Sequence, residues 1–217
     1  MGSNVGNKIT TLLLDCDNTL VQSETLAFEA SADLTNEILA SSNIDLSFTG
    51  DQLQRMEDDR VISKLLQKLQ PCEGANAELE RLVGHYHLAV VSSSALRRVR
   101  ASLDKAGQAG FFAPDDVFSA ADSLPVPLSK PDPAVYLHAL KAMGRTAGEC
   151  VAVEDSRSGA TSANRAGITT IGYTGACGDP TEAETLRKVL QKAGCQLIMS
   201  SWAEFPDLLT KIESGSV

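Results

Sequence analysis

The stretch TLLLDCDNTLVQSE, residues 11–24, decides how the rest of the chain is read. It opens as a short, apolar β-rich run and stops abruptly at two aspartates, Asp15 and Asp17, flanking Cys16. Carboxylates this close repel each other unless something positive is shared between them. In extended backbone, residues two apart point the same way, so both carboxylates are expected to face one pocket while Cys16 faces the core.

Working outward, similar β-rich runs recur at HLAVVSSS (87–94), CVAVEDS (150–156), ITTIGYTG (168–175) and CQLIMSS (195–201). Helical patterns separate them, over 95–106, 132–143, 158–167, 181–193 and 203–213. The second of these carries an Asp cap with Pro133 at the first helical position, and the third ends in Gly167. Apolar runs alternating with helices imply β-α-β crossovers and a mostly parallel sheet covered on both faces. The expected fold is α/β, with a Rossmann-like parallel sheet.

Residues 22–69 break the alternation. They hold no convincing strand but two helical patterns, one with Leu26, Ala30, Leu34 and Ile38, the other with Leu53, Met56, Ile62, Leu65, Leu66 and Leu69. SSNIDLSFTG joins the two, and QPCEGA (70–75) returns the chain to the sheet. The expected organisation is a core of 1–21 and 70–217 with a small α-helical module, 22–69, inserted directly after the two aspartates.

The formal net charge of −9 and pI near 4.8 argue against nucleic acid or an anionic membrane surface as partners, since either selects a basic face. No apolar run approaches the roughly 20 residues needed to span a bilayer, and MGSNVGNK has no leader-like apolar region, so a cytoplasmic location is expected. Five scattered cysteines without a C-x-x-C pair suggest neither a disulfide framework nor a zinc site. An anionic substrate therefore needs a site that makes its own local positive field.

In open parallel sheets ligands bind at the carboxyl ends of the strands, so the residues following each run are the candidates. These are Asp15, Asp17, Asn18 and Thr19 after the first, Ser92, Ser93 and Ser94 after the second, and Glu154, Asp155 and Ser156 after the third; Lys130 lies in the loop LSKPDP. Several carboxylates meeting at one edge call for a hard dication with oxygen ligands, Mg²⁺ by default. Such an ion keeps positions open for phosphate oxygens, and phosphoryl transfer further needs a nucleophile, an acid/base and compensating positive charge. Asp15 is the candidate nucleophile, Asp17 the acid/base, Ser92, Ser93 and Lys130 the phosphate contacts, with Lys130 also the compensating cation. The candidate metal ligands are Asp15, Asp17, Glu154 and Asp155. His85, His87 and His138 read as ordinary surface or half-buried residues. Arg55, Arg60 and Lys64 are within reach of an anionic substrate, yet RMEDDR also reads as a solvated, ion-paired face.

These residues resemble the four motifs of the haloacid dehalogenase superfamily: DCDNT the first, Ser92 in VVSSS the second, Lys130 in SKPDP the third, and Glu154-Asp155 the metal-binding fourth. The insertion resembles the helical cap of the C1 type. EDSRSGATSANRAG is similar to the subgroup of β-phosphoglucomutases and small sugar- and polyol-phosphate phosphatases. The resemblance implies a Mg²⁺-dependent phosphatase of a small phosphorylated metabolite, working through an aspartyl phosphate. A phosphomutase is the alternative, followed by a 2-haloacid dehalogenase and a non-catalytic metabolite-binding module. The chain departs from the pattern at Asn18, where the subgroup usually has glycine, at Gln22, and at Ala95 and Leu96, where the mutases carry a Lys-Asn pair for a second phosphate.

Overall fold

The computed structural model describes residues 8–40 and 49–216. The opening MGSNVGN and most of the joining segment SSNIDLSFTG lie outside the described residues. Six strands, β1 (Thr11–Leu14), β2 (His87–Ser92), β3 (Val117–Ser119), β4 (Cys150–Glu154), β5 (Thr169–Tyr173) and β6 (Leu197–Met199), form one sheet in the order β3-β2-β1-β4-β5-β6. Every pairing is parallel. The expected Rossmann-like α/β architecture is therefore present.

Both faces of the sheet are covered, which is why its central strands read as continuous apolar runs. Leu12, Leu14, Val90, Val151 and Val153 pack on one face with Leu79, Leu103, Trp202 and Phe205. Leu13, Ala89, Val91 and Ala152 pack on the other with Val135, Tyr136, Ala139 and Ala163. The register pairs Leu14 with Val90 on one side and Val153 on the other, and the Asp15 N–H donates to the Val153 carbonyl at 3.0 Å. Asp15 is thus delivered beside Glu154 and Asp155 where strand order reverses between β1 and β4.

Eight α-helices accompany the strands among the described residues. The inserted pair are α1 (Glu24–Ala40) and α2 (Gly50–Lys68). After α3 (Ala75–Leu82) come α4 (Leu96–Lys105), α5 (Ala134–Met143), α6 (Arg157–Arg165), α7 (Pro180–Lys192) and α8 (Phe205–Glu213). Helix α2 begins with a capping box, in which the Thr49 hydroxyl accepts from the Gln52 N–H and the Gln52 side chain accepts from the Thr49 N–H. Arg60 pairs with Glu37, and Lys64 reaches Asp33 at 2.7 Å and Glu29 at 3.1 Å, so these two of the three candidate cap cations join α2 to α1, while Arg55 is exposed. The two chain crossings beneath the pair run antiparallel: the Gln22 N–H donates to Gln70 at 3.0 Å and the Cys72 N–H to Leu20 at 2.9 Å.

Strand β3 and helix α3 lie outside the sequence-based expectation. The edge strand β3 has only three residues, VFS, and α3 follows the return linker directly. No described helix is long and apolar enough to cross a membrane. All five cysteines are free, and Cys16 is buried as expected.

Candidate active site

The loop after β1 is held on several sides. Asn18 adopts φ +54°, a left-handed conformation that asparagine tolerates better than most side chains, and its N–H donates to Val21 at 2.7 Å. Buried Trp202 donates its indole N–H to the Thr19 carbonyl at 3.1 Å, and buried Gln108 donates to the Leu20 carbonyl at 3.1 Å. The loop reaches the sheet edge pre-shaped.

Lys130 is almost wholly buried and gives each of its three N–H donors to a different acceptor: Asp15 Oδ1 at 2.5 Å, Glu154 Oε1 at 2.7 Å and the Val91 carbonyl at 2.8 Å. Burial alone lowers the pKa of an ammonium, but Asp15 and Glu154 outweigh it and hold Lys130 above its ordinary range. Tyr136, buried on α5, donates its hydroxyl to the same Glu154 oxygen, and its ring lies 5.3 Å from the Lys130 ammonium. Glu154 Oε2 is buried without a hydrogen-bond partner. Gly159 on α6 makes room for that carboxylate, since a Cβ there would sit 1.7 Å from Oε2.

Asp15 is pushed up to about 8, first by burial and then by Glu154 and Asp17, with Lys130 opposing. Asp155 is likewise held well above the usual carboxylate range by burial and by Asp15 and Glu154. One oxygen from each of Asp15, Glu154 and Asp155 lies within 4.8 Å of the other two. A hard-oxygen donor set whose members repel one another, with one buried oxygen unpartnered, fits a divalent cation.

Asp17 is placed differently. Its carboxylate accepts from Ser23 Oγ at 2.5 Å, Ser94 Oγ at 2.8 Å and Ser92 Oγ at 3.4 Å, away from the three clustered oxygens. Ser92 is fully buried, and its hydroxyl also accepts from the Ser94 N–H at 3.0 Å. Asp15, Asp17, Ser93, Lys130 and Asp155 all line one cleft of about 360 Å³, which α1 and α2 cover with Ala27, Phe28, Ser31 and Glu57. Tyr136, Gly159, Ser23 and Trp202 were not among the residues singled out in the sequence. Tyr136 and Trp202 act from distant segments, whereas Ser23 and Gly159 lie five or six residues from the carboxylates they serve and carry no chemistry that marks them in sequence.

The profile of haloacid dehalogenase-like hydrolases matches residues 47–173, more than half of the 217 residues. The 6-phosphogluconate phosphatase of Escherichia coli (strain K12) is 29% identical, over 80% of this chain and 85% of its own. A conserved haloacid dehalogenase-like protein of unknown function from Agrobacterium tumefaciens str. C58 superposes with a TM-score of 0.74 at 25% identity, covering 94% of this chain and 99% of that one. CbbY from Rhodobacter sphaeroides, solved in complex with phosphate, superposes with a TM-score of 0.69 at 22% identity, covering 91% and 96%. With Asp15, Lys130 and Asp155 gathered at the switch point of this fold, the chain belongs to the haloacid dehalogenase-like hydrolases.

Proposed function

We propose that this hydrolase is a Mg²⁺-dependent phosphatase of a small phosphorylated sugar or polyol, acting through an aspartyl phosphate on Asp15. The observation that carries the proposal is the carboxylate trio Asp15, Glu154 and Asp155, the first two buried and clamped by Lys130. The relationship to a 6-phosphogluconate phosphatase supports it.

Asp15, Glu154 and Asp155 hold the ion, which when bound supplies positive charge for the phosphate oxygens and favours the ionised form of the nucleophile. An Asp15 oxygen attacks phosphorus while the phosphorus bond to the substrate oxygen breaks. Asp17 gives its proton to the leaving alkoxide. Water then attacks the aspartyl phosphate, Asp17 takes a proton back, and inorganic phosphate leaves with Asp15 regenerated. Ser23, Ser94 and the buried Ser92 aim Asp17 for both transfers, while Ser93, which lines the cleft, donates to phosphate oxygens. Lys130 keeps Asp15 in line and compensates charge, so an acidic protein presents a locally positive site.

Residues 22–69 act as a cap. The short antiparallel crossing at Leu20–Gln22 and Gln70–Cys72 is its hinge, and closure excludes water during attack. Ala95 and Leu96 offer no polar grip for a second phosphate, which favours release to water over a mutase cycle. Purified protein screened with Mg²⁺ against several dozen phosphate esters should release phosphate from sugar or polyol esters. Asp15→Asn or EDTA should stop it, and turnover that survives Asp15→Asn would overturn the proposal.

A further inference from the structure

Cations that can read a substrate are scarce in this cleft. Among the described residues, Lys130 and Arg98 are the cations that line it, and Lys130 has no donor left. The neighbouring cap cations Arg60 and Lys64 are committed to α1, and Arg97 is paired with Asp59. Arg98, in the first turn of α4, is under-satisfied. Its Nε is buried with no acceptor, and among the described residues its one ionic neighbour, Asp58 Oδ1 of α2, stands 3.8 Å from Nη1, beyond hydrogen-bond range.

With no acceptor among the described residues within hydrogen-bond range, this guanidinium can offer its Nη donors to a ligand in the cleft. The cap presents Glu57 to the same cleft, where its carboxylate accepts from Ser31 Oγ at 2.7 Å. Glu57 suits substrate hydroxyls and repels further negative charge. One guanidinium sharing the cleft with that carboxylate matches a monoanion bidentately better than a second phosphate dianion.

We infer that Arg98 is a specificity-determining residue that binds a carboxylate at the end of the substrate remote from the transferred phosphate, with Glu57 and Ser31 reading the hydroxyls between. The preferred substrate class is then a phosphorylated aldonic acid, which presupposes the phosphatase function proposed above. Asp58 stands beside Arg98 at the cap–core seam without satisfying it.

The test is calorimetric binding to the Asp15→Asn protein with Mg²⁺, using 6-phosphogluconate, glucitol 6-phosphate and glucitol 1,6-bisphosphate. The acid should bind about 10–100-fold more tightly than the alditol, the range for a charge-assisted hydrogen bond. Adding Arg98→Met should erase that preference while leaving alditol binding within about threefold, and Arg98→Lys should retain part of it. Adding Asp58→Asn instead should preserve the preference, which separates recognition from loss of the buried pair. Equal binding of acid and alditol, a preference that survives Arg98→Met, or tighter binding of the bisphosphate would overturn the inference. So would binding of none of the three, while the ester screen separately decides whether the chain is a phosphatase.

Discussion

The catalytic floor and the cap hairpin are both built from ion pairs, yet they use charge in opposite ways. On the floor, Lys130, Asp15 and Glu154 are almost fully withdrawn from water, and their geometry is over-determined by Tyr136, Val91 and Gly159. Between α1 and α2, the Arg60–Glu37 and Lys64–Asp33 pairs have at least one partner more than half exposed. Exposed pairs are screened and worth little, whereas a buried group that loses its partner is left with an uncompensated desolvation cost. The floor spends its charge on chemistry, and the cap spends most of its charge on assembly. Arg98 is the exception in the cap–core seam, which is what singles it out.

The largest expected contrast is in turnover. Asp15→Asn should cost at least about 10⁴-fold in kcat on the best ester from the screen, since it removes the nucleophile. Arg60→Ala should leave kcat within a few-fold, and a larger loss would place the hairpin pairs in the chemistry.

Stability should separate the regions next. Lys130→Met strands two buried carboxylates and should cost about 3–5 kcal/mol by chemical denaturation. Lys64→Met should barely move the midpoint. Gly159→Ala should follow at about 1–3 kcal/mol, because the new methyl collides with Glu154. Glu154→Asp should relieve part of that loss in the double variant, a coupling that independent sites would not show.

The smallest effect is a pH-dependent one. Asp15 sits near 8 against an ordinary 3.8, so the metal-free folded state holds this proton more tightly than the unfolded chain does. Its contribution to stability is complete below the unfolded pKa and is lost as pH rises toward about 8. A bound cation removes that loss. The gain in Tm on adding Mg²⁺ should therefore grow between about pH 5 and about pH 8. A constant gain would mean that Asp15 does not share the ion.

The same contrast explains what could be read from the sequence. The central strands were legible because burial on both faces makes them continuous apolar runs, and the site edge followed from what ends each run. Strand β3 was not, because three residues at a sheet edge carry no period. The parity rule that put Asp15 and Asp17 in one set holds only within a strand. β1 ends at Leu14, Asn18 turns the backbone left-handed, and Asp17 swings to Ser23 and Ser94 while still lining the shared cleft. Tyr136 and Gly159 meet Glu154 only through the folding of α5 and α6 against β4. Arg98 stayed hidden because its significance lies in which neighbouring cations are already paired.

The most direct test of the central claim is a crystal structure of the wild-type protein with Mg²⁺ and beryllofluoride. The account predicts beryllium bonded to an Asp15 oxygen, with one Mg²⁺ touching both Asp15 and Asp155. Beryllofluoride on another side chain, or an ion that fails to bridge those two carboxylates, would contradict it.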